Sequence, residues 1–374
     1  MKRTGLLSFL SSIIVIIAGL LIGLIVLLIS DSSQAFPAFS TILTFGANTM
    51  RNIGDVLQGA TPIILTGLSV SFAFKTGLFN IGASGQFTWG GFVAIFIGTN
   101  FTFLPPWLRI ITCVLAAAAA GALWGAIPGL LKAFRNVHEV ISSIMTNYIG
   151  MFLVNYLIVE YIFLPPRTGT PPLPADSNLP RVGLDYIFRE PMGETYRSSN
   201  VNLGIILAII IAIIVYIILD KTVFGYELKA CGFNRDAAKY AGVNEKRNIV
   251  TSMMICGAIA GLGGALWYMR GADSSMSAVD SLAMEGFTGI SVAFLGLNHP
   301  IGIIFSGILI SYLFLGGARI QSLGFSIELV QVVISVIIYF CAFVFVVKSL
   351  LGTSVGKLFR RQKEPNPEEG GLVE

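Results

Sequence analysis

Charged residues are scarce in this chain of 374 residues. Asp, Glu, Lys and Arg together make up 12% of it, whereas soluble domains carry about 25%. Hydrophobic residues make up 55%. The shortfall of charge predicts an integral membrane protein. The fold class is all-α, because the many short alternating segments of a membrane β-barrel are not visible in the sequence.

Residues that bind metals or perform catalysis are also few. The four cysteines have no ligand-type spacing, and the only histidines are His138 and His299, so the cysteines are predicted to be structural thiols. Neither a Ser-His-Asp set nor a pair of carboxylates stands out. Glu139, Glu160 and Glu285 lie near the ends of predicted spans, where a snorkelling or capping role is expected. GTSVGKL at 352–358 has too few residues between its glycines for a phosphate loop and ends in leucine. The sequence therefore argues against an enzyme and against a nucleotide-hydrolysing site in this chain.

Long apolar runs are what the chain has in abundance. A helix needs about 20 apolar residues to cross a membrane. The sequence predicts ten spans, near 7–29, 54–74, 77–99, 108–131, 139–160, 200–219, 249–270, 282–298, 301–318 and 327–347. The first run exceeds the roughly 7–15 apolar residues of a signal peptide and is predicted to be a retained span.

The basic residues predict the orientation. With the N-terminus inside, 16 Lys and Arg lie on the inner side and 8 on the outer side, and every lysine is inside. This bias predicts that both termini are cytoplasmic. The predicted domains are a transmembrane domain at 1–350 and a cytoplasmic tail at 351–374. The end of the tail is basic and then acidic, and we expect it to be disordered.

The chain is organised around the basic loop Asp220–Asn248, which lies between two uncharged apolar runs. Its basic residues are Lys221, Lys229, Arg235, Lys239, Lys246 and Arg247. Alanines between them favour a helix, with Gly232 and Gly242 as its predicted caps. Such a helix, lying outside the membrane between two spans, is well placed to receive a push from a soluble partner.

The largest outer segment, 161–199, contains seven prolines. They exclude a long helix and predict an irregular surface loop. The loop is either a solvated connector or a docking surface for an extracellular partner.

Two glycine-rich stretches stand out within predicted spans, GLFNIGASGQFTWG at 77–90 and GFTGISVAFLGLNHP at 286–300. Amides and hydroxyls in a membrane helix must pair or line a water-filled path. Either tight helix packing or a transport pathway explains them, and two alternatives stay open for the spans that contain them: continuous helices, or broken or re-entrant ones. Their matching positions suggest an internal repeat.

Three more glycines, Gly121, Gly125 and Gly129, recur every fourth residue. They lie on one helix face and predict close packing against another helix.

These motifs resemble a known family. GLFNIGASGQ at 77–86 resembles the signature of permease subunits of bacterial ABC importers. GFTGISVAFLGLNHPIG at 286–302 resembles a second signature of the nucleoside branch, which is related to the ribose and simple-sugar permeases. GYELKACGFNRDAAKYAGV at 225–243 resembles the coupling loop that docks on the ATPase. Ser84 departs from the pattern, because the family often has an acidic residue there.

The resemblance implies a type II-like ABC importer permease fold and alternating access driven by two ATPase partners. It also implies a second permease, identical or homologous, and an extracellular substrate-binding lipoprotein or protein. The chain would lie in the bacterial cell membrane and bind no cofactor, with ATP and Mg at the partner subunits. The residues implied in ATPase coupling are Gly225, Ala230, Gly232, Asn234, Ala237, Ala238 and Gly242.

For a nucleoside cargo, such as guanosine, a pathway needs polar groups for base and ribose and an aromatic face for the base. The candidates are Phe79, Asn80, Gln86, Trp89, Asn147, Phe287 and Ser291. The first alternative is the same machinery with a simple sugar such as ribose or galactose, or an amino acid, as cargo. The second is an ion-driven secondary transporter, which would place an ionisable residue in mid-span. The predicted spans are nearly free of such residues at their centres.

Overall fold

The computed structural model describes residues 2–165, 168–193, 195–271, 274–341, 343 and 346–347. The predicted tail lies outside the described residues. The helices are α1 (Lys2–Ser30), α2 (Ala35–Thr44), α3 (Met50–Lys75), α4 (Ala83–Asn100), α5 (Pro106–Arg135), α6 (Glu139–Leu157), α7 (Leu184–Ile187), α8 (Gly204–Lys221), α9 (Val223–Phe233), α10 (Arg235–Tyr240), α11 (Glu245–Tyr268), α12 (Met284–Leu295), α13 (Pro300–Arg319) and α14 (Ile327–Cys341). A small antiparallel hairpin, β1 (Arg189–Met192) and β2 (Thr195–Ser198), projects from the outer segment. The chain is thus an all-α membrane protein, as predicted.

Seven helical segments of the described residues are long and apolar enough to cross a membrane. They are Ile13–Ser30, Met50–Lys75, Pro106–Arg135, Glu139–Ile162, Gly204–Lys221, Glu245–Tyr268 and Pro300–Leu323. Each corresponds to one predicted span. The predicted span 327–347 is described as a continuous helix as far as Cys341. The apolar helix α2, with 10 residues, was not predicted because it is too short to resemble a span.

Neither glycine-rich stretch forms a full-length continuous helix. Residues 76–82 are not helical, and α4 begins only at Ala83. The prediction of a full span over 282–298 is wrong, because α12 has only 12 residues. Such a helix is about 18 Å long, too short for a hydrocarbon core of about 30 Å. The chain therefore enters the membrane as irregular backbone at two places.

Helix α11 lies at the centre and packs against α3, α4 and α5. A Cβ atom added to Gly121 would collide with the carbonyl oxygen of Gly257, and one added to Gly257 would collide with that of Gly121. Gly125 and Gly129 likewise face Met253 of α11. The glycine ladder predicted on α5 is therefore confirmed as a packing surface. Its partner is the backbone of α11.

The helix ends define two sides. We call "basic side" the side that carries Lys75, α9 and α10, and "loop side" the side that carries residues 161–203. On the loop side, residues 168–174 run beside residues 274–278. The backbone N–H of Thr170 donates to Met276 O at 2.9 Å, and that of Leu173 donates to Ser274 O at 3.0 Å.

The proline-rich outer segment is irregular, as predicted, but it is not fully solvated. Leu173 and Ser177 are buried, and the buried guanidinium of Arg109 lies 2.6 Å from the Asp176 carboxylate. This hydrogen bond from Arg109 lowers the pKa of Asp176. The first half of the segment is therefore anchored on α4 and α5, while the hairpin β1–β2 is exposed.

Candidate functional site

The break between α3 and α4 is held by a buried pair of amides. Asn80 Nδ2 donates to Gln86 Oε1 at 2.8 Å and to Ser69 Oγ at 2.9 Å, and Gln86 Nε2 donates to Asn80 Oδ1 at 3.1 Å. Both amides are buried. Polar groups at membrane depth need such partners. The pair therefore ties the irregular stretch to the first turn of α4 and to α3.

A third amide, that of Asn147 on α6, supports the same backbone. Its Oδ1 accepts from the N–H of Gly85 at 2.8 Å, and its Nδ2 donates to Ile81 O at 3.0 Å. The first N–H groups of a helix have no partner within the helix. Asn147 Oδ1 provides the missing partner for one of these N–H groups, that of Gly85. It therefore stabilises the start of α4 at this position.

The structure therefore brings Asn80, Gln86 and Asn147 together, as backbone supports around one break. The aromatic candidates lie elsewhere. The rings of Phe79 and Phe294 have centroids 6.4 Å apart, and Trp89 stacks on Trp124 with centroids 4.7 Å apart. Phe287 and Ser291 are half-buried on α12. For all seven candidates, contact with a substrate stays a prediction.

The two irregular stretches meet deep in the molecule. Ser84 Oγ, at the start of α4, donates to Ala283 O at 2.9 Å, and Thr66 Oγ1 of α3 donates to Glu285 O at 2.9 Å. Thr66 lies nine residues before the end of α3, a rise of about 14 Å. The start of α12 is therefore near the middle of the membrane rather than at its surface.

Two cavities of about 260 Å³ each flank the start of α12. One lies between α4, α6, α11 and residues 276–285, and the other between α3, α11, α12 and α13. Trp267, Met284 and Glu285 line both. Other polar residues of the first cavity are Thr88, Asn155, Ser277 and Ser281, and those of the second are Thr288 and Ser311.

Sequence reasoning missed this place. The predicted span 282–298 put Glu285 at a surface end, with a snorkelling or capping role. Because α12 begins deep in the membrane, that interpretation is wrong. The premise that the mid-span regions are nearly free of ionisable residues also needs an exception at Glu285. The irregular residues 269–271 and 274–283 create the difference, and the depth of 274–283 depends on contacts with α3 and α4 that no local pattern reveals.

The basic loop forms two short helices, α9 and α10, where a single one was predicted. Of the two predicted glycine caps, Gly242 lies just past the end of α10, but Gly232 does not end a helix. Thr222 Oγ1 accepts from Gly225 N at 3.0 Å and caps α9, and Asn234 Oδ1 accepts from Ala237 N at 3.0 Å and caps α10. Gly232 lies inside α9, where its backbone meets that of Gly77 too closely for a Cβ atom on either residue.

The surface of α9 and α10 is partly exposed. Among the predicted coupling residues, Gly232, Asn234, Ala237 and Gly242 are exposed, Ala230 is half-buried, and Gly225 and Ala238 are buried. Two aromatic residues were missed. Phe233 is 90% exposed and Tyr240 is 95% exposed. Both side chains are candidates for an interaction surface, because contiguous exposed apolar patches mark such surfaces.

This arrangement can be compared with known proteins. The model of the family described as "Branched-chain amino acid transport system / permease component" matches residues 52–342. The chain belongs to this permease family. The match includes both irregular stretches, both cavities and helices α9 and α10.

Relatives within the family differ in cargo. The guanosine ABC transporter permease protein NupP of Bacillus subtilis is 37% identical over 91% of this chain and 94% of its own length. The nucleoside ABC transporter permease protein NupB of Lactococcus lactis is 36% identical over 91% and 92%. The glucose ABC transporter permease protein TsgB13 of Haloferax volcanii is 28% identical over 89% and 87%. No solved structure matches the chain.

The irregular stretches of this permease enter from opposite sides. Residues 76–82 follow the end of α3 on the basic side, and residues 269–271 and 274–283 follow the end of α11 on the loop side. Opposite entry is the pattern of an inverted repeat with a site at its interface. The internal repeat itself stays a hypothesis, which a superposition of the two halves would test.

Proposed function

We propose that this chain is the transmembrane permease subunit of an ATP-driven importer for nucleosides, guanosine among them. The observation that carries the proposal is the 36–37% identity, over 91% of the chain, with permeases named for guanosine and nucleosides. Of the two cavities beside α12, the first has a mixed polar and aromatic lining that is compatible with such a cargo, and the second is mostly apolar.

The chain would act with several partners. The basic side would be cytoplasmic, since lysines and arginines are retained there, and two ATPase subunits would dock on α9 and α10. ATP and Mg would be bound by those subunits. A second permease, identical or homologous, would complete the pathway in the bacterial cell membrane. A substrate-binding lipoprotein or protein would deliver cargo at the loop side, where the hairpin β1–β2 is exposed.

A contiguous set of contacts could carry motion from the ATPases to the cavities. Gly232 of α9 touches Gly77 at the start of the irregular stretch 76–82. The other end of this stretch leads into α4, where Ser84 binds Ala283 beside both cavities. A displacement of α9 would thus reach the start of α12 through packed backbone. Coupling by ATP requires that the ATPases bind two states of this unit unequally.

A second candidate cargo is suggested by one of the relatives. The relative TsgB13 is named for glucose, so a simple sugar is the alternative cargo for the same machinery. The higher identity with NupP and NupB favours the nucleoside.

Uptake measurements test the proposal. Cells that express the complete transporter are given radiolabelled guanosine, adenosine, uridine and ribose. We expect ATP-dependent uptake of nucleosides but not of ribose. Ribose uptake without nucleoside uptake would overturn the cargo, and uptake without an ATPase partner would overturn the mechanism.

A pair of variants tests the docking surface. Ala237→Arg places a bulky charge on exposed α10 and should abolish uptake while the protein remains in the membrane. Tyr186→Arg places the same charge on the exposed loop side, far from α10, and serves as the matched control for ATPase docking. Equal ATPase binding by the two variants would remove α10 from the docking site.

A further inference from the structure

We infer that Glu285 recognises the base of the transported nucleoside, by accepting hydrogen bonds from the N1–H and 2-amino groups of guanine. This inference rests on the proposed function and names the residue that would select the cargo within the membrane.

The Glu285 carboxylate lies where a transported ligand can reach it. A carboxylate at membrane depth is costly unless it faces a partner or a water-filled cavity, and such residues mark transport pathways. Among the described residues, Glu285 forms no ion pair and no hydrogen bond with another side chain. It lines both deep cavities instead. Apart from a hydrogen bond to its own backbone N–H, its acceptor oxygens are therefore available to a ligand.

A carboxylate selects ligands by their hydrogen-bond donors. An ionised carboxylate only accepts hydrogen bonds, through two oxygens side by side. Guanine presents two adjacent donors, N1–H and the 2-amino group, at a matching spacing. Hypoxanthine presents N1–H alone, and adenine presents an acceptor at N1. A carboxylate at this position therefore discriminates among purines by the number of donors on one edge.

The residues around Glu285 provide an aromatic surface and polar groups for the rest of a nucleoside. Trp267 lines both cavities and offers an aromatic surface on which a base can stack. The guanidinium carbon of Arg270 lies over one face of this indole, 3.8 Å from the ring centroid. A base would therefore stack on the opposite face. Thr88, Asn155 and Ser277 add hydroxyl and amide groups suited to a ribose. Each cavity, at about 260 Å³, is close to the lower limit of roughly 300 Å³ for small-ligand pockets.

The experiment compares Glu285→Gln with Glu160→Gln in cells that carry the complete transporter. Glu160 is exposed on the loop side and lines neither cavity, so its variant removes the same charge without touching the site. Initial uptake rates are measured for guanosine, inosine and adenosine at saturating concentrations. Saturation matters because a delivery protein would set the apparent affinity.

We expect Glu285→Gln to lower the guanosine rate about tenfold or more, the loss expected when hydrogen bonds to a charged group are weakened. The inosine rate should fall less and the adenosine rate least, while Glu160→Gln resembles the parent. A guanosine-to-adenosine ratio that is the same in all three proteins would overturn the inference and leave nucleoside import standing. Failure of the parent to import any nucleoside would overturn both.

A second readout covers the case in which Glu285→Gln does not reach the membrane. Ser281 is exposed and lines the first cavity, and Ser281→Cys can be labelled with a maleimide in the assembled complex. Guanosine should slow this labelling more than adenosine does. Equal protection by the two nucleosides, or none, would overturn the inference.

Discussion

The buried amide pair at the break between α3 and α4 allows a sharp test of what Asn80 does. Asn80→Leu keeps a similar volume but removes both hydrogen bonds to Gln86 and the one to Ser69. The Gln86 amide then remains buried with no replacement partner. We therefore expect Asn80→Leu to destabilise the protein strongly, and the partner left behind, rather than the residue lost, should account for most of the effect.

The magnitude follows from the contacts. An unsatisfied buried donor or acceptor costs about 1–3 kcal/mol, so the two polar groups of Gln86 together cost about 2–6 kcal/mol. The double variant Asn80→Leu with Gln86→Met removes both amides and leaves only the lost bond to Ser69, worth about 0.5–1.5 kcal/mol. Hydrogen bonds measured inside membrane proteins average about 0.6 kcal/mol, so two bonds of average strength would give a coupling of about 1 kcal/mol.

The assay is a double-mutant cycle on the purified complex in detergent, read as the shift in unfolding free energy or, in rank order, in thermal midpoint. The double variant should be more stable than Asn80→Leu alone. Effects that add within about 0.5 kcal/mol would show that the two sites are independent and would refute the reasoning. Transport by the stable double variant would show in addition that Asn80 supports the backbone and does not contact cargo.

Three further changes test other parts of the structure. Gly121→Ile should prevent α5 from packing on α11 and abolish membrane assembly, whereas Ala119→Ile, on the exposed face of α5, should be tolerated; chromatography of a fluorescent fusion compares them, and equal profiles would contradict the glycine contact. Gly77→Ala should impair uptake more than Gly242→Ala, because both residues have positive φ but only Gly77 faces another backbone; similar uptake by the two variants would assign the effect to φ alone. Asp176→Asn should speed proteolysis of the loop side at pH 7. In the parent, the stabilisation of the loop side by the Arg109–Asp176 ion pair is fully present above the ordinary Asp pKa of about 3.9. It is lost only as pH falls through the lowered pKa of Asp176. Faster cleavage of the parent at pH 5 than at pH 7 would therefore contradict the ion pair.

The class of the protein and most of its membrane spans could be predicted from the amino-acid sequence. Apolar length is a local property, so seven segments of about 20 residues could be recognised one by one, beginning with α1 and including α11. The ladder at Gly121, Gly125 and Gly129 was equally readable, because residues four apart share a helix face whatever the partner is. Motif resemblance also predicted the permease family, which the comparisons confirmed.

Other features depend on contacts between distant residues and could not be predicted. The amides of Asn80 and Gln86 were recognised as unusual, but only the fold shows that they satisfy each other. Gly232 looked like a helix cap, and only the approach of Gly77 reveals it as a contact between backbones.

The depth of Glu285 is the clearest case. A run of apolar residues from 282 to 298 looks the same whether it crosses the membrane or begins halfway through it. Hydrogen bonds from Thr66 and Ser84, more than 190 residues away along the chain, fix the start of α12 near the middle. Composition and periodicity report what a segment can bury. Where a segment begins depends on the fold, because its partners for backbone hydrogen bonding come from other helices.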